Sequence, residues 1–393
     1  MSRSVPALVK PELLVWARRS AGLSLERTES LTKIDGFTLE EWESGRDVPS
    51  LTELRKLGEA YKRPLAVFFL AEPPLKFDAQ REFRRLAGIK PGQESPELLQ
   101  ELRWAAFRRE AAMELHRLTG ESPHRLRAVL HPDQDAEEAG THLRELLGIT
   151  WTAQTQWAGD YAALNAWRAA VESKGMLVFQ TSAIELDEMR ATCIPDAPLP
   201  VILLNSNDAP YGRVFSLLHE FAHVLLHLGG HQTTRMVGER FPEEQPLEVA
   251  ANAFAGAALL PKTVATKIAK AYPAAVRGDE EALRTLTQKA NVSAEVILRR
   301  LVTLGLASET VYRRKREGWL ALGKRDKARA QGGPSMEVKT ISKDGPGYTR
   351  LVLDAFDQRR ISTNAASDYL GVKPRHFPNI RRELTHRPTL LGA

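Results

Sequence analysis

The chain has 393 residues, 43% of them hydrophobic and 26% charged, with a formal net charge of +6 and a single cysteine, Cys193. That length predicts two or three domains, and the composition excludes a low-complexity or disulfide-stapled protein. A diffuse positive charge allows contact with nucleic acid without requiring it. The first residues, MSRSVPALVKPELLVWARR, contain no continuous apolar stretch ahead of a small-residue cleavage site. No run of about 18 apolar residues occurs. The expectation is a cytoplasmic protein without a membrane partner.

In chain order, residues 1–75 read as a compact helical unit. Leu13, Leu14 and Ala17 recur at helical spacing. Ser50-Leu51-Thr52-Glu53 is a capping-box pattern ahead of Leu54, Leu57, Ala60 and Tyr61, and Pro73-Pro74 closes the unit. Residues 76–150 read as a charged helical connector with a long apolar stripe through Leu98, Leu99, Leu102, Ala105, Ala106 and Leu115. A helix over 159–174 is closed by Gly175. Met176 to Phe179 and Pro198 to Leu204 read as strands. Ala209 to Leu228 is helical with Asp208 as N-cap, and a helix from Leu247 to Leu260 stops at Pro261. Residues 262–325 are helical again, 323–336 read as a linker, and 337–393 form a small last module. The expected fold is mainly α (α+β): a core with a small sheet over 151–265, a helical module over 266–330, and helical modules at both ends.

One string carries chemistry. His219-Glu220-Phe221-Ala222-His223 lies in the apolar helix SLLHEFAHVLLH. Residues i and i+4 share a helix face, so both imidazoles reach one metal ion. Glu220 sits beside the first ligand, where it can act as general base on a metal-bound water. Two histidines four apart also arise by chance, but two imidazoles and a carboxylate in so apolar a helix are costly to bury without a partner. Three protein ligands and an open position are what a catalytic zinc needs. Glu248, in EVAANAFA, is the natural third ligand, and the small residues around it allow close helix packing. Asn252, one turn later, is placed to orient an imidazole from behind. Glu239, Glu243 and Glu244 are rivals on a Pro-containing loop. His227 and His231 are rivals too, although the metzincin third-ligand position falls on Gly229. Tyr211, Arg213, His227 and His231 are candidates to stabilise an oxyanion. The strand Val201 to Leu204 precedes this helix and offers an edge to an extended peptide.

The runs PVILLN, RVFSLLHEFAHVLLH and EVAANAFAGAALLP resemble the ImmA/IrrE family of zinc peptidases, through Asn205, Arg213, Phe215, His219, Glu220, His223, Glu248, Asn252, Phe254, Ala255 and Pro261. Ala250 stands where many members carry a second acid. The resemblance implies one zinc ion per chain on His219, His223 and Glu248, with Glu220 as catalytic base. It also implies cleavage of a protein substrate, a transcriptional repressor, in a stress-response or mobile-element switch. Trp42-Glu43-Ser44-Gly45 with Pro49, and Lys62-Arg63-Pro64-Leu65-Ala66, resemble the XRE-type helix-turn-helix that precedes such peptidases.

Nucleic-acid contact is argued separately for each end. At the N-terminal end, the recognition helix would run from about Asp35 to Glu43. It would present Gly36, Phe37, Thr38, Glu40 and Glu41, a set that repels phosphates and lacks base-reading cations, so protein docking suits it as well as DNA. At the C-terminal end, Ile361 to Leu370 and Gly371 to Leu384 read as helix, turn, helix, with Lys373, Arg375, His376, Arg381 and Arg382 as nucleic-acid candidates or as a solvated basic face. Arg299 and Arg300 read as helix surface. Cys193, with only Arg190 nearby, is a weak redox candidate. Two alternatives to the peptidase stand: a DNA-binding transcriptional regulator with a structural or sensing zinc, and a small-molecule hydrolase.

Overall fold

A computed structural model of the chain describes residues 6–63, 65–70, 72, 95–231, 245–323 and 334–386. Pro73-Pro74, residues 76–94, the loop with Glu239, Glu243 and Glu244, most of the expected linker and residues 387–393 lie outside the described residues. The chain forms two compact units that divide between Phe107 and Arg108, with Ala183–Met189 belonging to the first. No helix among the described residues is long and apolar enough to cross a membrane.

The first unit is built from α1 (Pro11–Ser20), α2 (Leu25–Thr32), α3 (Gly36–Glu43) and α4 (Leu51–Ala60). A 3-10 turn over Leu65–Phe69 and the start of α5 (Pro96–Thr119) complete it. Its starts follow the local chemistry. Ser24 accepts from the Arg27 amide, Asp35 from the Thr38 amide, and Ser50 forms the full capping box with Glu53. Leu14, Ala17, Leu39, Trp42, Leu54, Leu57, Tyr61 and Phe68 make its core. The turn between α2 and α3 is left-handed at Lys33 (φ 60°).

The second unit contains α6 (Ala136–Leu147), α7 (Trp151–Thr155), α8 (Asp160–Glu172), β1 (Leu177–Thr181), β2 (Ala191–Ile194) and β3 (Val201–Asn205). There follow α9 (Pro210–Leu228), α10 (Gln245–Leu259), α11 (Lys262–Ala271), α12 (Pro273–Val276), α13 (Glu280–Ala290), α14 (Ala294–Thr303) and α15 (Glu309–Gly323). One apolar cluster runs from Leu130 to Leu301 through these helices and the sheet. The segment expected as a separate helical module from 266 therefore shares its core with the segment before it.

The sheet order is β1-β3-β2, with β1 parallel and β2 antiparallel to β3. The central strand is thus β3, and the expectation that Val201 to Leu204 offers a free edge is corrected. Both of its edges are paired, and β2 is the edge strand packed along α9. The sequence reading missed β2 because its four residues, ATCI, are too few to show alternation. Asp208 is also one residue too early for an N-cap. Ala209 holds that position without a side-chain cap, while the Asp208 carboxylate accepts from the Ala209 amide and from Arg190.

The C-terminal module comprises α16 (Met336–Asp344), α17 (Pro346–Asp357), α18 (Thr363–Leu370) and α19 (Phe377–His386), with a 3-10 turn at Pro374–His376. It is fastened to β1, α5 and α8 by buried polar groups. Arg108 pairs with Asp344 at 3.1 Å, both buried. The Ser342 carbonyl accepts from Arg168 at 2.6 Å and from Gln180 at 2.8 Å. Gly345 is required here, because it has φ 82° and a Cβ on it would lie 2.6 Å from Glu172 and 3.0 Å from the Val178 carbonyl.

Candidate metal centre

The active helix is set by its flanks. Asn205, at the end of β3, accepts from the Asn207 amide, and Ser206 donates from its amide and hydroxyl to the Thr181 carbonyl. This turn hands the chain directly from the sheet to α9. Pro210 opens the helix at its first position, and Gly230 (φ 86°) follows its end. Leu217, Leu218, Phe221, Ala222, Val224, Leu225 and Leu226 are all fully buried, so α9 is a central core element.

The ligand helix α10 is held just as firmly. A helix leaves its last carbonyls without internal partners, and here three buried side chains take them. Arg144 donates to the Ala258 carbonyl at 2.6 Å, Gln154 to the Leu259 carbonyl at 3.1 Å, and Arg300 to the Leu260 carbonyl at 3.0 Å. Arg300 also pairs with Glu137. Its expected place on a helix surface is therefore corrected: Arg300 is buried, while Arg299 is the exposed neighbour paired with Glu309. Burial lowers the Arg144 pKa to about 10, so it remains charged at neutral pH. The helices α6 and α10 touch at Gly140, where a Cβ would come within 2.7 Å of Ala257 backbone.

Between α9 and α10, His219, His223 and Glu248 converge. The two Nε2 atoms lie 3.0 Å apart. A Glu248 carboxylate oxygen lies 2.9 Å from His223 Nε2, and the other lies 3.6 Å from His219 Nε2. A tetrahedral ion with bonds of about 2.0–2.1 Å separates its ligand atoms by about 3.3–3.4 Å. The observed triangle brackets that edge, and the nitrogen and oxygen donors suit zinc. Among the described residues this is the only His/Cys/Asp/Glu cluster of three so arranged. Glu220 is buried on the same helix. Phe215 stacks on His219, with ring centroids 6.2 Å apart.

Residues 171–302 match the Peptidase_M78 family model, an IrrE N-terminal-like domain. No curated protein matches the chain. The matched stretch is a metallopeptidase-type domain that runs from the end of α8 into α14. It contains the whole sheet, the three converging residues and Glu220, and agrees with the resemblance carried by RVFSLLHEFAHVLLH and EVAANAFA. It reaches neither the four-helix N-terminal unit nor the C-terminal module.

The other expected residues of this metallopeptidase domain are placed as follows. Asn252 is exposed on α10, one turn after Glu248. Tyr211 donates its hydroxyl to Asn291 at 3.0 Å, and burial raises its pKa. Arg213 is buried, donating to Gln180 at 2.5 Å with its guanidinium over Tyr161. It ties α9 to β1. His231 belongs to a separate pair, its Nε2 2.9 Å from His131 Nδ1. His227 is half-buried, and neither it nor His231 joins the cluster. Sequence reading missed Arg144, Gln154 and Arg300. Their partners are carbonyls more than 30 residues away, and the only signal was polar side chains at apolar positions of helical stripes.

Proposed function

We propose that the chain is a zinc-dependent endopeptidase whose substrate is a regulatory protein, such as a transcriptional repressor in a stress-response or mobile-element switch. The single observation that carries this reading is the convergence of His219, His223 and Glu248 beside Glu220, inside the stretch that matches a metallopeptidase domain. Zinc held by these three residues supplies a Lewis acid at the scissile carbonyl and acidifies water there. The Glu220 carboxylate takes the proton of the attacking water and delivers it to the leaving amide nitrogen. An extended substrate segment adds to the outer edge of β2, the strand edge beside α9, in place of the β3 edge expected from sequence. The cleaved class follows from the family resemblance and not from the geometry.

The test compares wild-type and Glu220→Gln chains in the parent cell by mapping newly formed protein N-termini. A short set of cleavages confined to the wild type, with zinc content equal in both chains, is the expected result. Equal cleavage by the Gln variant overturns the role of Glu220. No cleavage by either chain under DNA damage, oxidation and added zinc favours a regulator whose metal does not cut.

A further inference from the structure

The C-terminal module stands outside the matched peptidase stretch, and none of its residues enters the metal cluster. Its last two helices have a surface of their own. Ser362 caps α18 through the Ala365 amide, and the helix ends at Gly371 in the left-handed conformation (φ 64°). The chain re-enters helical geometry at Pro374 and continues into α19. Phe377, Ile380 and Leu384 are buried, as are Ala366 and Leu370 of α18 and Val352 and Leu353 of α17. This is a helix, a tight turn and a second helix seated on a third.

The buried positions decide what the second helix presents outward. Asn379 and Arg382, three apart, share one face of α19, and Arg375 sits in the 3-10 turn that leads into it. Arg375, Asn379 and Arg382 are exposed, and exposed Lys373 precedes them. Arg381 is not part of this set, because its guanidinium pairs with Asp354 and Asp357. Asn379 donates to Glu337 at 3.3 Å, and Arg375 to His376 at 3.3 Å. The helix α3 of the first unit has no such set, since its exposed residues are Phe37 and Glu40.

We infer that the Lys373, Arg375, Asn379 and Arg382 face is a docking surface for duplex DNA, with the 375–382 segment lying in the major groove. Arginine and asparagine are the side chains that pair in bidentate fashion with guanine and adenine edges there. Arg375 and Asn379, at the start of the helix, face the bases, and Asn379 exchanges Glu337 for an adenine edge. Lys373 and Arg382 flank them and meet phosphates. A single protruding helix fits the B-form major groove, about 12 Å wide, and not the deep, narrow major groove of duplex RNA.

The experiment uses the full-length chain and selection from a random-sequence duplex DNA library. Affinities are then measured by fluorescence anisotropy across a salt series. An enriched motif is expected, bound at least tenfold more weakly by Arg375→Ala. Arg375→Lys keeps the charge and should still lose sequence preference, since lysine lacks the planar fork. Lys373→Ala should weaken all duplexes alike and reduce the salt slope by about one. Glu220→Gln should bind like wild type, which separates this surface from the peptidase reading. Melting curves equal to wild type exclude unfolding as the cause. The inference is overturned if no duplex is enriched, if the Arg375→Ala/Arg382→Ala double variant binds the enriched duplex like wild type, or if only single-stranded RNA or an acidic protein is retained.

Discussion

At the scale of single residues, the proposed metal centre draws on three donors, His219, His223 and Glu248, that folding brings together. Removing any one leaves two ligands and an open site. His223→Ala and Glu248→Ala should each lower bound zinc from about one per chain to near zero, read by elemental analysis of the purified chain. Arg144 makes a different prediction. Its replacement by Ala strips a partner from the buried Ala258 carbonyl, which should cost about 1–3 kcal/mol of stability in denaturant titrations. Because that carbonyl belongs to the ligand helix, zinc affinity should fall with it. Arg213→Lys should behave as a stability variant rather than a catalytic one, since its guanidinium is committed to Gln180.

At the scale of elements, the crossing of α6 and α10 is set by Gly140. A valine there would drive its side chain against Ala257 backbone, which cannot yield as a flexible side chain would. Gly140→Val should cost about 1–3 kcal/mol through overpacking, visible as a lower melting temperature. In the C-terminal module, the first turn of α16 holds Glu337 among its own amide, Ser335, Asn379 and His376, which lowers its pKa to about 2. A depressed carboxyl stabilises the fold above its unfolded pKa, and that contribution is lost as pH falls through the folded value. Glu337→Gln should therefore lower the melting temperature at about pH 6 and leave it unchanged near pH 2.

At the scale of the whole molecule, the second unit is one core from Leu130 to Leu301, with the C-terminal module tied to α5 by the buried Arg108–Asp344 pair and to the sheet by the Gln180–Ser342 hydrogen bond. Breaking the buried Arg108–Asp344 pair from one side strands a charge, so Asp344→Ala should cost about 3–5 kcal/mol. Hydrogen exchange should rise first over α16 to α19, where the lost anchor lies. The double change Arg108→Met with Asp344→Leu should recover most of that loss, since apolar substitutes need no desolvation of ions.

What the sequence determined by itself was local. Capping chemistry at Ser50 and Glu53, the apolar period of α1, α5 and α9, and the HExxH spacing all act within a few residues, so periodicity and side-chain type were enough to read them. Glu248 was legible as a candidate ligand from the small residues around it, and folding brings its carboxylate to 2.9 Å from His223 Nε2. Long-range packing settled which distant groups meet. The four-residue β2 became a sheet edge by pairing with the side of β3 that β1 leaves open. Arg300 moved from an expected surface to the core because the end of α10 needs donors there. Arg381 left the basic set because two aspartates on a neighbouring helix neutralise it. In each case the deciding energy is desolvation or pairing across a long loop, and that depends on packing rather than on neighbours in the chain.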